Sequence, residues 1–444
     1  MKKVVHVLTY VLFVSNCFAQ SFIPGNFVVV RIGSGADSLA AGVAQPVFLD
    51  EYNSCGNLVR SIPMPVSVSG SNKRLTLPIS TSDYTEGYVS LSQDGSKLAL
   101  AGYDADPGTA AVSSSSANTA KRVVAVVNSD GTVNTTTALS AFSGQAVRAA
   151  VTDGSGIWVS GGSGGIMYTT LGGTNHVQLT NATARCLVVS NGQLYATSTS
   201  GSLRLAAVGT GLPVTAGQTM VNLPGLPATG SPYQFLIVNA GSGSDVLYVA
   251  DDNLLRKYSL SGGAWLSNGT IGVASDKYRA VTGQRNTDGT VQLYAIRRND
   301  NATGKGGEIV TLTDSTGYNS SFSAIVPTLI VKANDNNVFR SVVMAPDAAA
   351  ANVLAREHEP ADSLGLELTP NAAREKVVVT FQAKYLSSPL IVITNTTGQM
   401  VRQVAPASIQ AGKVTVDVQG LPKGLYYVTL SDGKKKETKK LLVL

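Results

Sequence analysis

Arg185-Cys-Leu-Val-Val-Ser-Asn-Gly-Gln-Leu-Tyr-Ala-Thr, residues 185–197, sets two short apolar runs on either side of an Asn-Gly pair. Val, Leu and Tyr suit a pleated, half-buried surface, and Asn-Gly is a strong hairpin signal because both residues tolerate positive φ. The stretch predicts two antiparallel strands. Working outward, similar openings stand at Gly87-Tyr-Val-Ser-Leu, Arg148-Ala-Ala-Val, Gln234-Phe-Leu-Ile-Val, Arg279-Ala-Val-Thr and Arg340-Ser-Val-Val. All but the last lead into a second run: Lys97-Leu-Ala-Leu-Ala, Gly156-Ile-Trp-Val-Ser, Val246-Leu-Tyr-Val-Ala and Val291-Gln-Leu-Tyr-Ala-Ile. Asp94-Gly95, Asp130-Gly131 and Asp288-Gly289 fall between further apolar runs, and each is expected to form a hairpin turn with both residues at positive φ.

Two weaker runs follow each pair, so a unit of about four strands repeats, the size of a propeller blade. The 61-residue intervals after positions 87 and 279 each carry a polar insertion, from Asp104 to Ala120 and from Arg298 to Gly307, and neither holds two blades. The opening at Arg340 lacks following strands. Near the start of the chain, Phe27-Val-Val-Val-Arg-Ile, Pro46-Val-Phe-Leu-Asp-Glu-Tyr and Leu58-Val-Arg-Ser-Ile supply them. The reading is an all-β six-bladed β-propeller, with seven blades as the alternative, in which both ends of the body share the last blade and remove an open sheet edge.

Lys2 and Lys3 precede an apolar stretch to Phe18 that is too short to span a bilayer, which reads as a signal peptide over 1–19, cut after Ala19. A lipid anchor at Cys17 is the alternative, against which the preceding Ser15 and Asn16 stand. No later segment reaches the length of a transmembrane helix. The expected organisation is a signal peptide at 1–19, propeller at 20–347, linker at 348–365 and a small Ig-like β-sandwich at 366–444. Export to the periplasm, then a secreted or outer cell-surface location, follows from this.

Net charge separates the parts. The chain carries +6, yet residues 20–365 hold 21 Lys+Arg against 23 Asp+Glu, while residues 366–444 hold 11 against 5. A near-neutral body offers no footprint for a phosphate backbone, so no nucleic-acid partner is expected. Cys55 and Cys186 alone survive signal removal, which excludes a disulfide framework and leaves free thiols or a single pair.

The C-terminal motifs are Leu368-Thr-Pro-Asn-Ala, Leu390-Ile-Val-Ile-Thr-Asn-Thr-Thr-Gly-Gln-Met-Val, Val416-Asp-Val-Gln-Gly-Leu-Pro-Lys-Gly-Leu-Tyr-Tyr-Val-Thr-Leu and Lys439-Lys-Leu-Leu-Val-Leu. In this order they resemble the C-terminal sorting domain of the type IX secretion system of Bacteroidetes, with Ala372 where a second Pro is usual. The positions carrying the resemblance are Pro370, Asn371, Gly398, Gly420, Leu421, Gly424, Tyr426 and Lys440. It implies the type IX machinery as partner, and removal of the domain as the cargo is released or anchored. Gly398 and Gly424 read as turn positions. Lys434, Lys435, Lys436, Lys439 and Lys440 read either as translocon contacts or as a solvated edge whose charges deter pairing. The body is similar to extracellular propellers of the same phylum through Asn26-Phe-Val-Val-Val-Arg-Ile-Gly, Glu86-Gly-Tyr-Val-Ser-Leu-Ser, Leu100-Ala-Gly-Tyr-Asp-Ala and Phe339-Arg-Ser-Val-Val-Met-Ala-Pro.

Leading strands line a propeller's channel, so aligning the openings places Arg148, Arg185, Arg279 and Arg340 around one mouth, with Gln234 in a fifth position, Gly87 in the sixth and Glu86 beside it. Guanidinium forks suit carboxylate, sulfate or an acidic sugar, and they equally suit the carbonyls of a neighbouring blade. Asp104 with Asp106, and Asp251-Asp252-Asn253, are the acids that could hold calcium, the one cofactor considered, although ordinary Asx turns account for both. No catalytic motif occurs. The expected function is a noncatalytic, monomeric binding or scaffold propeller for a glycan or anionic molecule. The alternative is a calcium-dependent hydrolase or lactonase of the six-bladed type.

Overall fold

The computed structural model describes residues 20–80, 84–239, 245–298, 306–347, 364, 366–381, 389–395, 399–404, 412–431 and 436–444. The expected signal peptide, nearly all of the expected linker, and Gly398, Lys434 and Lys435 lie outside the described residues. The chain divides into two compact units, Met1–Ala351 and Asn352–Leu444. Among the described residues there is no α-helix, and one 3-10 turn, Val112–Ser114, interrupts an otherwise all-β chain.

The first unit is a β-propeller. Four of its sheets have four antiparallel strands in chain order, running through Val147–Thr152 to Val177–Thr180, Leu187–Ser190 to Met220–Asn222, Pro232–Asn239 to Ala264–Ile271, and Ala280–Arg285 to Thr328–Lys332. A composite sheet holds the rest: Val338–Met344 pairs antiparallel with Phe27–Ile32, which pairs with Ala44–Tyr52. The last residues of Ala44–Tyr52 pair with Leu58–Pro63, whereas its first three pair with Thr76–Pro78. Through Thr76, opposite Tyr103, that short strand reaches Lys97–Tyr103 and the rest of the second group, Ser90–Leu91, Arg122–Asn128 and Val133–Leu139.

Burial follows position within a sheet. Val338–Met344 and Gly156–Gly161 are buried at every residue, because neighbouring sheets cover both their faces. Leu58–Pro63 and Thr328–Lys332, at outer edges, have no buried residue. Each fully buried Val or Leu contributes about 1.5–3 kcal/mol, so the inner strands dominate stability.

The hairpins refine the expected turn chemistry. Only Asn191-Gly192 has both residues at positive φ, 49° and 70°. At Asp94-Gly95, Asp130-Gly131 and Asp288-Gly289 the glycine alone is left-handed. There each Asp carboxylate instead accepts the backbone N–H two residues on, from Ser96, Thr132 and Thr290. An Asx bond thus replaces the second positive-φ residue.

Lys257 and Asp314 join two adjacent sheets through a buried ion pair of 2.7 Å, with side chains 0% and 2% exposed. The ammonium also donates to Thr316 Oγ1 and the Gly317 carbonyl, and Tyr248 donates to the same carboxylate at 2.6 Å. Burial opposes the Asp314 charge, but the bonds from Lys257, Thr316 and Tyr248 outweigh it and hold the carboxyl below its ordinary range.

In the second unit a three-stranded sheet (Glu367–Thr369, Lys376–Thr380, Lys413–Asp417) and a five-stranded sheet (Ala372–Ala373, Lys436–Val443, Gly424–Ser431, Leu390–Asn395, Met400–Val404) share one core. Val377, Val379 and Val416 come from the first sheet, and Ile391, Ile393, Val428, Leu430 and Leu441 from the second. Gly424, expected in a turn, instead opens a strand opposite Val443. Gly420, at φ 83°, holds the turn that precedes it.

Lys257→Met is expected to cost about 3–5 kcal/mol in urea unfolding, because it strands a buried carboxylate. Since the native pKa of Asp314 lies below its unfolded value, its contribution is complete above about pH 4 and is lost as pH falls through the native pKa. The stability gap between wild type and Asp314→Asn should therefore narrow in acid; a gap that widens there would contradict the assignment.

Candidate functional site

The leading strands contact one another in a closed cycle: Ser90–Leu91, Val147–Thr152, Leu187–Ser190, Pro232–Asn239, Ala280–Arg285, Val338–Met344 and back to Ser90–Leu91. They do not line an open channel, as the sequence reading assumed. The segment Gly87–Ser90 lies on the axis and bonds to residues at all five other openings. Gly87 and Tyr88 both donate N–H to the Arg148 carbonyl at 3.1 Å. The Val89 N–H donates to Ser341 Oγ, whose hydroxyl donates to the Gly87 carbonyl. Ser90 donates to the Leu187 carbonyl at 2.7 Å, and the Tyr88 hydroxyl to that of Arg279 at 3.3 Å. Gln234 completes the set, donating to the carbonyls of Val89 and Val342 and accepting the Val342 N–H.

The physical reason is local. The leading strand of this group has only two residues, and Lys97–Tyr103 contacts Val147–Thr152 directly, leaving Gly87–Ser90 to enter the centre. Gly87, at φ 84°, supplies the bend; a Cβ there would stand 3.0 Å from both Arg340 Cγ and Leu77 Cδ1.

The arginines therefore gather around this plug. The guanidinium carbons of Arg185 and Arg279 lie 4.4 and 4.5 Å from the centroid of one ring, Tyr233. Arg185 Nη1 donates to Ser231 Oγ and the Pro232 carbonyl, and Arg279 Nη2 to Asn253 Oδ1. Arg148 reaches the Ala184 carbonyl at 3.4 Å. Burial raises the Tyr88 phenol pKa, against the fields of Arg340, Arg279 and Arg185. Arg279, Arg340 and Gln234 are buried, whereas Arg148 and Arg185 are half-buried.

Glu86 belongs to a different cluster. Its carboxylate accepts from Tyr103 Oη at 2.5 Å and from Ser113 Oγ at 3.0 Å, beneath the insertion 104–120. Arg122, 0% exposed, sits over the Tyr103 ring and donates to the carbonyls of Ala120, Ser115 and Gln145. Arg74 pairs with both Asp104 and Asp106. Asp251 accepts from Ser231 N–H and pairs with Arg256. Among the described residues no cluster of three or more His, Cys, Asp or Glu could hold a metal ion. Cys55 is exposed and Cys186 buried, both as free thiols, and burial pushes the Cys186 thiol up to about 12. Sequence reading missed Tyr88, Tyr233, Ser341 and Arg122. For Tyr88, Tyr233 and Ser341 the available signal was their place beside the openings at Gly87, Gln234 and Arg340, whereas Arg122 adjoins no opening.

Residues 367–444 match the family described as "Secretion system C-terminal sorting domain", and the chain carries this type IX export signal. Asn371 accepts the Leu442 N–H, and Tyr426 donates to the Pro422 carbonyl, so these motif residues tie the fold of the domain. No curated protein matches the chain. Solved structures with a similar course include a candidate 6-phosphogluconolactonase of Bacteroides uniformis, at 14% identity and TM-score 0.38, covering 88% of this chain and 99% of that one. The Dos1 propeller has 9% identity and TM-score 0.34 over 82% and 85% of the two chains. BamB from Moraxella catarrhalis has 11% identity and TM-score 0.29 over 91% and 95%. No helix among the described residues is long and apolar enough to cross a membrane.

Gln234→Leu is expected to cost about 3 kcal/mol in urea unfolding, since it removes the partners of three buried backbone groups on the axis. An unchanged midpoint would show that the axial segment does not depend on this amide.

Proposed function

We propose that the protein is a cell-surface or secreted, noncatalytic binding propeller of six blades, whose ligand is an anionic molecule such as an acidic glycan. Six is the number obtained when the composite sheet is counted as two blades, with the strands from both ends of the body in one of them. The layout follows: a signal peptide at 1–19, the propeller at 20–347, a linker at 348–365 and an Ig-like sandwich from 366 that addresses the protein to the export machinery.

One observation carries the ligand reading. Arg185 is half-buried beside Tyr233, and its described hydrogen bonds use Nη1 alone. Its Nε and Nη2 make none among the described residues, so the stacked guanidinium keeps an edge for a carboxylate or sulfate. Arg148, Arg279 and Arg340 from neighbouring openings add positive charge to a body whose net charge is close to neutral. The axial plug directs the ligand to the face of the ring, not through it. Antiparallel pairing sends the insertion 104–120, which follows Lys97–Tyr103, to the face on which the leading strands begin, whereas most of the insertion 298–307 lies outside the described residues. The reading requires no cofactor.

Isothermal titration of the mature protein against sulfated or uronic-acid oligosaccharides should give binding that weakens with salt, and neutral oligosaccharides should give none. Arg185→Ala should lower affinity by about 1.5–3 kcal/mol, the worth of a charge-assisted hydrogen bond, while the variant still folds with a modestly lower melting temperature. Equal affinity of the variant, or loss of folding, would assign Arg185 to cementing the sheets.

A further inference from the structure

We propose that the outer edge of the strand Lys436–Val443 in the sorting domain is a docking edge for an extended, carboxylate-bearing polypeptide segment of a protein that handles this domain in export. The incoming segment would add as a further strand alongside Lys436–Lys440.

The backbone defines the edge. On one side Lys436–Val443 pairs along its whole length with Gly424–Ser431. On the other, only Leu442 and Val443 find a strand, the two-residue Ala372–Ala373. There Leu442 N–H donates to the Asn371 carbonyl at 2.9 Å and Leu444 N–H to that of Ala373 at 3.1 Å. Alternate residues of a strand direct N–H and C=O to the same side, so Thr438 and Lys440 aim theirs along this same outer edge. No strand pairs with the edge there among the described residues. The row runs about 13 Å at 3.3 Å per residue, enough for a short added strand.

A cleft lined by Leu366, Glu367, Leu368, Thr369, Asn371 and Thr438–Lys440 runs along this edge. The chain entering the domain comes close without pairing, because Glu437 Oε2 accepts the N–H groups of Leu364 and Leu366 at 2.8 and 3.4 Å. A side chain, in place of a backbone ladder, holds that segment. Leu364 and Leu366 are in turn buried in the domain core, which fixes one wall of the cleft.

Charge selects the occupant. Lys436, Lys439 and Lys440 are exposed on this strand, within a segment carrying 11 Lys+Arg against 5 Asp+Glu. Its own Glu437 is committed to Leu364, Leu366 and Lys439. Lysines on an open edge repel a second copy of the same edge, and they are neutralised by a strand bearing carboxylates. Edge protection and partner selection are thus one device.

The test is fluorescence anisotropy with the mature chain, residues 20–444, and three labelled eight-residue probes: alternating Glu and Val, alternating Lys and Val, and the Glu-Val peptide with N-methylated backbone. The Glu-Val probe should bind, and the Lys-Val probe should not. Backbone methylation should weaken binding roughly tenfold or more, because strand addition uses main-chain hydrogen bonds. Lys440→Pro removes one outward N–H without touching the ladder to Gly424–Ser431, and should weaken binding similarly; Lys439→Glu with Lys440→Glu should abolish it. No binding of the Glu-Val probe, or equal binding of its methylated form, would overturn the proposal. The methylated probe decides the question even if Lys440→Pro fails to fold.

Discussion

Four residues, Gly87 to Ser90, hold hydrogen bonds to the leading-strand regions at Arg148, Leu187, Gln234, Arg279 and Ser341, and this shared attachment ties the sheets together at the axis. Rings of sheets built on side-chain packing alone leave a hydrated axis. Here the chain occupies its own axis, and the buried backbone groups that this creates are met by Ser341, Gln234 and neighbouring carbonyls, as burial without water demands. The cost is a glycine in a conformation that no other residue adopts easily, held against Arg340 and Leu77.

The plug also accounts for the arginine and tyrosine chemistry of the rim. Guanidinium groups facing an open channel would be solvated; around a filled one they stack on Tyr233 and reach carbonyls of adjoining sheets. Arg185 holds the next sheet through one nitrogen, Nη1, which donates to both Ser231 and Pro232. Glu86 shows how closely adjoining residues diverge. It precedes Gly87, yet its carboxylate turns away to Tyr103 and Ser113, so the acid and the rim arginines serve different parts of the fold.

Legibility differed by scale. The apolar runs that open at Arg148, Arg185, Gln234, Arg279 and Arg340 fall in or next to strands, because short strands of Val, Leu and Ala between turn residues are encoded locally. Gly87-Tyr-Val-Ser-Leu has the same composition but forms a strand only at Ser90 and Leu91. Its first residues take their partners from distant segments, up to 254 positions away in the case of Ser341, and nothing in the local pattern announces that. Asn191-Gly192 takes the conformation its residues predict, whereas at the three Asp-Gly pairs an Asp side chain replaces one backbone conformation with a hydrogen bond. The sorting motifs were legible because turn glycine, buried tyrosine and closing strand stand in fixed order within 78 residues.

By itself, the sequence determined the all-β character, the repeated hairpins and the export signal at the C-terminus, all of which rest on periodicity and turn chemistry over a few residues. Only the tertiary structure decided that the axis is closed, that Arg185 and Arg279 share one tyrosine while Glu86 joins Tyr103, and that Lys257 finds Asp314 across a sheet boundary. Those pairings join residues remote along the chain, and their energy depends on burial. Burial is a property of the assembled ring and of no single strand.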